Sequence, residues 1–192
     1  MCYLYGVITG GVPKISGPVR LRRFHSTDVE NLVELDSDPE VRRYLFCEPP
    51  TRHTVQNDIL PAVIASYEVF PGFGRWAAEL AESGRFIGWF CLSVSTKSEL
   101  GRPELGYRLR REHWGQHLAS MVSIQLVEWA FAVLGAETVR AETMAVNVAS
   151  RRVLTNAGLH HIRTFHVHFD DTLPGTEAGE VEYAIHRNAR PT

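Results

Sequence analysis

The chain has 192 residues, 44% of them apolar and 22% charged, with a formal net charge of −2. That length supports one compact domain with a core of its own, and near-neutrality excludes a sequence-blind nucleic-acid binder, which would be clearly basic. Cys2, Cys47 and Cys91 are scattered without metal-ligand spacing and read as small buried hydrophobes of a reducing cytoplasm, and no apolar run reaches the length of a membrane span.

The first residues lack a basic n-region and are interrupted by Gly6, Gly10, Gly11 and Pro13, so they are not read as a signal peptide. They are taken as a flexible arm, 1–17, ahead of a single domain at 18–188 and a short tail at 189–192. Val19, Leu21 and Arg20, Arg22 alternate up to Phe24, the pattern of an edge strand. Ser26 or Thr27 can cap a helix with Val29, Leu32, Val33 and Leu35 on its apolar face. The run S-D-P-E-V-R-R-Y-L repeats the signal, with Pro39 in the first turn. A further helix is predicted over 54–69, where Pro61 should kink or divide it.

Residues 75–81 and 85–94 flank the turn E-S-G-R and form a predicted hairpin, its second strand apolar and central, with Trp76 and Trp89 in the core. A short strand in P-E-L-G-Y-R-L follows, then a polar loop and an apolar helix over 118–134. That helix carries two stripes, Leu118, Val122, Leu126, Trp129, Val133 and Ile124, Val127, Phe131, Leu134, more than a surface helix needs. Crossover packing on a sheet explains most of that width, and a subunit contact would use the rest. A strand at 138–143, a helix capped by Asn147 and ended by Gly158, and strands at 159–169 and 181–186 complete the chain. The fold class is α/β, with a mixed, mostly antiparallel sheet flanked by helices.

The stretch 103–134 organises the chemistry. A strand that feeds a turn at a helix N-terminus gathers unpaired N–H groups and the positive end of a helix dipole, which is an anion site. Arg110, Arg111 and Gln116 add side-chain donors there. The loop is neither a Walker nor a dinucleotide-binding glycine pattern. In the second informative stretch, Asn147 and Ser150 stand three apart at a helix start, where Asn147 by itself is an ordinary cap. His166 and His168, two apart on a strand, make a metal pair only with a third ligand that no recognisable spacing supplies. His160 and His161 are expected to face solvent.

The loop W-G-Q-H-L-A after E-L-G-Y-R-L resembles the coenzyme A pyrophosphate loop of the GNAT acyltransferase superfamily, in the branch of the ribosomal-protein N-terminal acetyltransferases. The family loop reads Q/R/W-x-x-G-x-G/A. Trp114 holds its first place, Ala119 its last, and His117 stands where the family has glycine; Met121 stands where the branch often has Glu. The spacing N-x-x-S-x-x-V-x-x-x-x-G-L from Asn147 to Leu159 resembles the second signature of the same branch.

The resemblance spans 19–186 and implies a sheet of about seven strands, splayed in the middle, and an acetyl-coenzyme A dependent N-acetyltransferase without a metal. It assigns the cofactor to the backbone of Tyr107, Arg108 and Leu109, to Arg110 and Arg111, and to the loop Trp114, Gly115, Gln116, His117, Leu118, Ala119 and Ser120. Asn147 would hold the pantetheine arm and Ser150 would protonate the leaving sulfur, with Tyr107 beside them. Thioester aminolysis also needs a base and an oxyanion donor. Glu104 and Glu142 are the carboxylates in place, Glu104 favoured because the family often carries an acid in its A-E-I/L-G-Y segment; a water relay without a dedicated base is the alternative.

The acceptor implied is a primary amine, on a protein N-terminus or a small molecule such as an aminoglycoside, with no nucleic acid or membrane partner. Homodimers are common in the branch. Glu177, Glu180 and Glu182 near the last turn would attract a cationic amine or simply be solvated. If position 117 is helical, His117 fits and can donate to phosphate when protonated; if it requires glycine, coenzyme A binding is weakened and the chain becomes a degenerate binding module.

Overall fold

The computed structural model describes residues 11–45, 48–167 and 173–189. Cys2, Cys47 and His168 therefore lie outside the described residues. Seven strands form one sheet: β1 (Val19–Arg23), β2 (Gly74–Leu80), β3 (Phe86–Ser93), β4 (Glu104–Leu109), β5 (Thr138–Met144), β6 (His160–Phe165) and β7 (Glu180–His186). Their order is β1-β2-β3-β4-β5-β7-β6, so β1 is an edge strand as its alternation predicted. Neighbours are antiparallel except β4 and β5, which are parallel.

Helices α1 (Val29–Ser37), α2 (Pro39–Arg42), α3 (Arg52–Thr54) and α4 (Leu60–Val69) precede β2; α5 (Leu118–Ala132) and α6 (Val148–Asn156) follow β4 and β5. One core layer joins Leu105 and Leu109 of β4 to Leu118, Val122, Leu126 and Val127 of α5 and Leu154 of α6. On the other face Leu32 and Leu35 of α1 and Leu60 of α4 pack on Ala77, Trp89 and Cys91. Trp76 and Trp89 are both buried.

Local structure refines the sequence expectation at particular residues. The helix predicted over 54–69 is divided, as Pro61 led one to expect, with the proline in the first turn of α4. A π-helical turn, Val55–Ile59, precedes it, and the Leu60 amide reaches back to the Val55 carbonyl. This wider turn relieves the crowding that a proline ring causes with the carbonyl four residues earlier. Neither Ser26 nor Thr27 caps α1: a 3-10 turn, Ser26–Asp28, intervenes, and the Asp28 carboxylate accepts from the His25 amide at 2.8 Å. The α5 helix ends at Ala132, and of its second stripe Ile124 is exposed while Val127 and Phe131 are buried.

Strand β6 stops at Phe165, so His166 is outside it, its ring beside the Glu177 carbonyl. Among the described residues no three His, Cys, Asp or Glu side chains gather as a metal site, and no helix is long and apolar enough to cross a membrane. Of the segment expected as an arm, residues 11–17 are described. They lie against α5, where the Ser16 amide donates to Gln125 Oε1 at 2.7 Å and Gln125 Nε2 donates back to the Ser16 carbonyl at 3.1 Å.

Gly88 has φ +143°, and a Cβ there would meet the Arg108 carbonyl oxygen at 2.1 Å. Only glycine lets β3 sit this close to β4 at the level where β4 begins its site-forming turn.

Candidate active site

The parallel neighbours β4 and β5 share one register pair, Glu104 with Arg140. Beyond it the strands part. The Arg140 amide donates to the Pro103 carbonyl at 3.0 Å, and the Arg110 amide donates to Ile87 of β3 at 2.8 Å. Backbone groups alternate sides along a strand. The amides of Tyr107 and Leu109 therefore face the gap, opposite the free edge of β5, and the gap is lined by donors and acceptors that a strand-like amide chain can pair with.

At the end of β4 a 3-10 turn, Arg111–His113, leads into the loop before α5. The Trp114 indole N–H donates to the Leu109 carbonyl at 2.9 Å, so Trp114 pins the loop to the strand although its residue is 46% exposed. Gln116 Nε2 donates to the Glu112 carbonyl at 2.9 Å and is spent on the loop itself. Gly115 has φ +73°, and His117, the N-cap of α5, has φ 58° and ψ 6°. His117 is the one non-glycine residue with positive φ among the described residues. Position 117 is left-handed rather than helical, which is the conformation glycine adopts freely and a Cβ crowds. The helix then starts with Met121 N–H on the His117 carbonyl at 3.0 Å, which leaves the amides of Leu118, Ala119 and Ser120 without helical partners. Ser120 Oγ accepts from Asn156 Nδ2 at 3.1 Å, tying this end of α5 to α6.

Across the gap, Asn147 Oδ1 accepts from the Ser150 amide at 3.1 Å, the ordinary cap, while its Nδ2 donates to Thr143 Oγ1 at 3.2 Å. The Tyr107 hydroxyl lies 2.9 Å from Ser150 Oγ and donates to the Ser150 carbonyl at 3.1 Å. This contact bridges β4 and α6 over the open gap. Burial pushes the Tyr107 hydroxyl far above its usual range, against the opposing effect of its Ser150 bond, so it is a neutral donor at physiological pH.

The arginines go elsewhere. Arg110 Nη2 pairs with Glu34 of α1 at 2.7 Å, and Arg108 pairs with Asp36 and lies over the Trp89 ring. Arg111 lines, with Arg110, Glu34 and Asp38, a cavity of about 500 Å3 against α1 and α2. Glu104 lies 3.6 Å from Arg140 Nη2. Burial raises its pKa; Arg140 works against this, and Glu142 and Glu99 add to it. Glu142 itself is exposed on β5 and pairs in register with Glu182 of β7. Composition gave no signal for Arg140, Thr143 and Asn156, which matter only through the neighbours that folding gives them.

The pattern of an acetyltransferase (GNAT) domain matches residues 19–160. The chain belongs to the GNAT acetyltransferase family. It is an N-acetyltransferase by that membership, and it is 35% identical over 164 residues, 82% of this chain and 69% of the other, to the FsC-acetyl coenzyme A-N(2)-transacetylase of Aspergillus fumigatus. It is 29% identical to the N-acetyltransferase p20 of Bacillus licheniformis over 71% of this chain and 75% of that one. Solved structures share the fold. The ribosomal-protein acetyltransferase RimL, in complex with coenzyme A, superposes with TM-score 0.75 at 14% identity over 93% of this chain and 99% of that one. The Vibrio cholerae spermidine N-acetyltransferase, with coenzyme A and spermine, gives TM-score 0.72 at 16% identity over 89% and 96% of the two chains.

Proposed function

We propose that this GNAT enzyme moves the acetyl group of acetyl-coenzyme A directly onto a primary amine in a ternary complex, with β4, the loop 114–120 and α6 as its working parts. The observation that carries the reading is the Tyr107–Ser150 contact of 2.9 Å across the open β4–β5 gap. The pantetheine amides would pair with the free edge of β4. The pyrophosphate would take the unpartnered amides at the start of α5, where the helix dipole favours negative charge.

The amine gives its proton to Glu104, directly or through water, and attacks the thioester carbonyl carbon. A β4 amide, of Tyr107 or Leu109, donates to the developing oxyanion. As the carbon–sulfur bond breaks, Ser150 Oγ–H protonates the thiolate, and Tyr107 O–H passes a proton to Ser150 while taking one from solvent, so that both hydroxyls end neutral. The products are an amide and free coenzyme A. The relative named for transfer to an N(2) nitrogen supports an amine acceptor.

One observation favours a second reading. His117 holds the left-handed position that the family gives to glycine, as it would in a chain that keeps the fold as a binding module. Isothermal titration with acetyl-coenzyme A, followed by thiol release with a panel of amines, decides between them. Micromolar binding with turnover is expected. Absence of binding by the parent, with binding by His117→Gly, supports the second reading, and binding by neither removes the first.

A further inference from the structure

On the sheet face that carries Glu104, a cleft of about 260 Å3 opens between α4 and the β2–β3 hairpin. Ala62, Val63, Phe70 and Phe73 give it apolar walls, and Cys91 and Ser93 of β3 form its floor. Its volume falls below the roughly 300–1,000 Å3 that takes a whole drug-sized ligand, so it suits one arm of a substrate.

The cleft leads to the reacting end. Ser93 is the register partner of Glu104, and its Oγ donates to the Glu104 carbonyl at 3.4 Å. Side chains of directly paired residues share a face, with Cβ atoms about 5 Å apart. Cys91 sits one step inward, paired with Arg75 on one side and Gly106 on the other. Its thiol feels both Arg75 and Glu104.

Arg75 is the single charged residue lining the cleft. Its guanidinium stacks 4.4 Å over the Trp89 ring, and among the described residues no carboxylate forms an ion pair with it. A half-buried cation stacked on an aromatic face keeps guanidinium donors that a ligand oxygen can take. It welcomes a carbonyl or carboxylate oxygen and repels a second ammonium.

We infer that the acceptor is an amphiphilic primary amine whose apolar arm occupies this cleft and whose arm carries an oxygen acceptor for Arg75, rather than a polyamine. The inference rests on the acetyltransferase reading above and names its substrate class. The amine end lies at Glu104, where among the described residues three carboxylates, Glu104, Glu99 and Glu142, stand against the single cation Arg140; the arm runs over Cys91 toward Phe70 and Phe73.

The test is thiol release from acetyl-coenzyme A with three amines of similar length: cadaverine acylated at one end with a butanoyl group, nonylamine, and spermidine. The acylated diamine is expected to exceed spermidine at least tenfold in kcat/KM. Arg75→Met should remove its advantage over nonylamine. Ala62→Trp, at an exposed position on the cleft wall, should raise KM for both apolar amines about tenfold while calorimetric affinity for acetyl-coenzyme A stays at the parent value. A preference for spermidine, turnover of none of the three by protein that binds acetyl-coenzyme A, or unchanged KM in both variants overturns the inference. Failure of the parent to bind acetyl-coenzyme A overturns the underlying reading instead, and is read separately in the calorimeter.

Discussion

At the residue scale, His117 carries the most testable energy. A left-handed conformation costs a residue with a Cβ about 1–2 kcal/mol, and glycine gives back roughly half of that through its freer unfolded chain. His117→Gly is therefore expected to stabilise the fold by about 0.5–1 kcal/mol in urea denaturation and to tighten acetyl-coenzyme A binding. Ser150→Ala removes the proposed acid and leaves the Tyr107 hydroxyl without its Oγ partner; kcat should fall about 100-fold with little change in acetyl-coenzyme A affinity, read by steady-state kinetics beside calorimetry. Glu104 gives a pH signature. Its carboxyl is raised mainly by burial, so the ascending limb of kcat/KM should lie above the range of an ordinary glutamate. Activity is gained as that proton leaves, and Glu104→Gln should abolish the limb. A limb that survives the substitution assigns the base to Glu142 or to water.

At the element scale, α5 links core to site. Leu126 is fully buried against the sheet, and Leu126→Ala should cost about 3 kcal/mol by loss of burial and cavity formation. The same helix offers its first amides to the proposed pyrophosphate position, so a displaced α5 should weaken acetyl-coenzyme A binding as well. This element was well marked in the sequence, because a long 3.6-residue period is hard to mistake. The sheet covers most of its wide stripe and leaves Ile124 and Val133 apolar yet 37% and 44% exposed, and periodicity alone does not say where a sheet ends. The helix around Pro61 shows the converse. Its apolar pattern was legible, but the π turn that accommodates the proline was not, since it depends on packing of Val55 and Leu60 into the core.

At the scale of the whole molecule, the helices before β2 are locked to the sheet by an ionic network. Arg22 joins Asp28 at 2.7 Å and Glu79 at 2.5 Å, and Arg20 joins Glu79 at 2.7 Å. Burial opposes ionisation of Asp28, but bonds from Arg22, the His25 amide and Asn31 outweigh it and hold the carboxyl below the usual range. A depressed carboxylate adds stability above its unfolded pKa and loses it as pH falls through the folded one. Asp28→Asn should therefore cost about 3 kcal/mol near neutrality, the usual loss on breaking a buried pair, and progressively less on acidification, measured as the urea midpoint against pH.

The sequence by itself determined the order of elements, the helix start at Pro39, the cap at Asn147, the central strand and the two signatures, because these are set by local periodicity, turn chemistry and spacing. It named Tyr107 and Ser150 separately. Only the tertiary structure decided that they touch, that Arg110 turns to Glu34 of α1 instead of the loop, and that position 117 is left-handed. Those outcomes depend on which side chains meet across a splayed sheet 43 residues apart, and a linear pattern does not carry long-range contact.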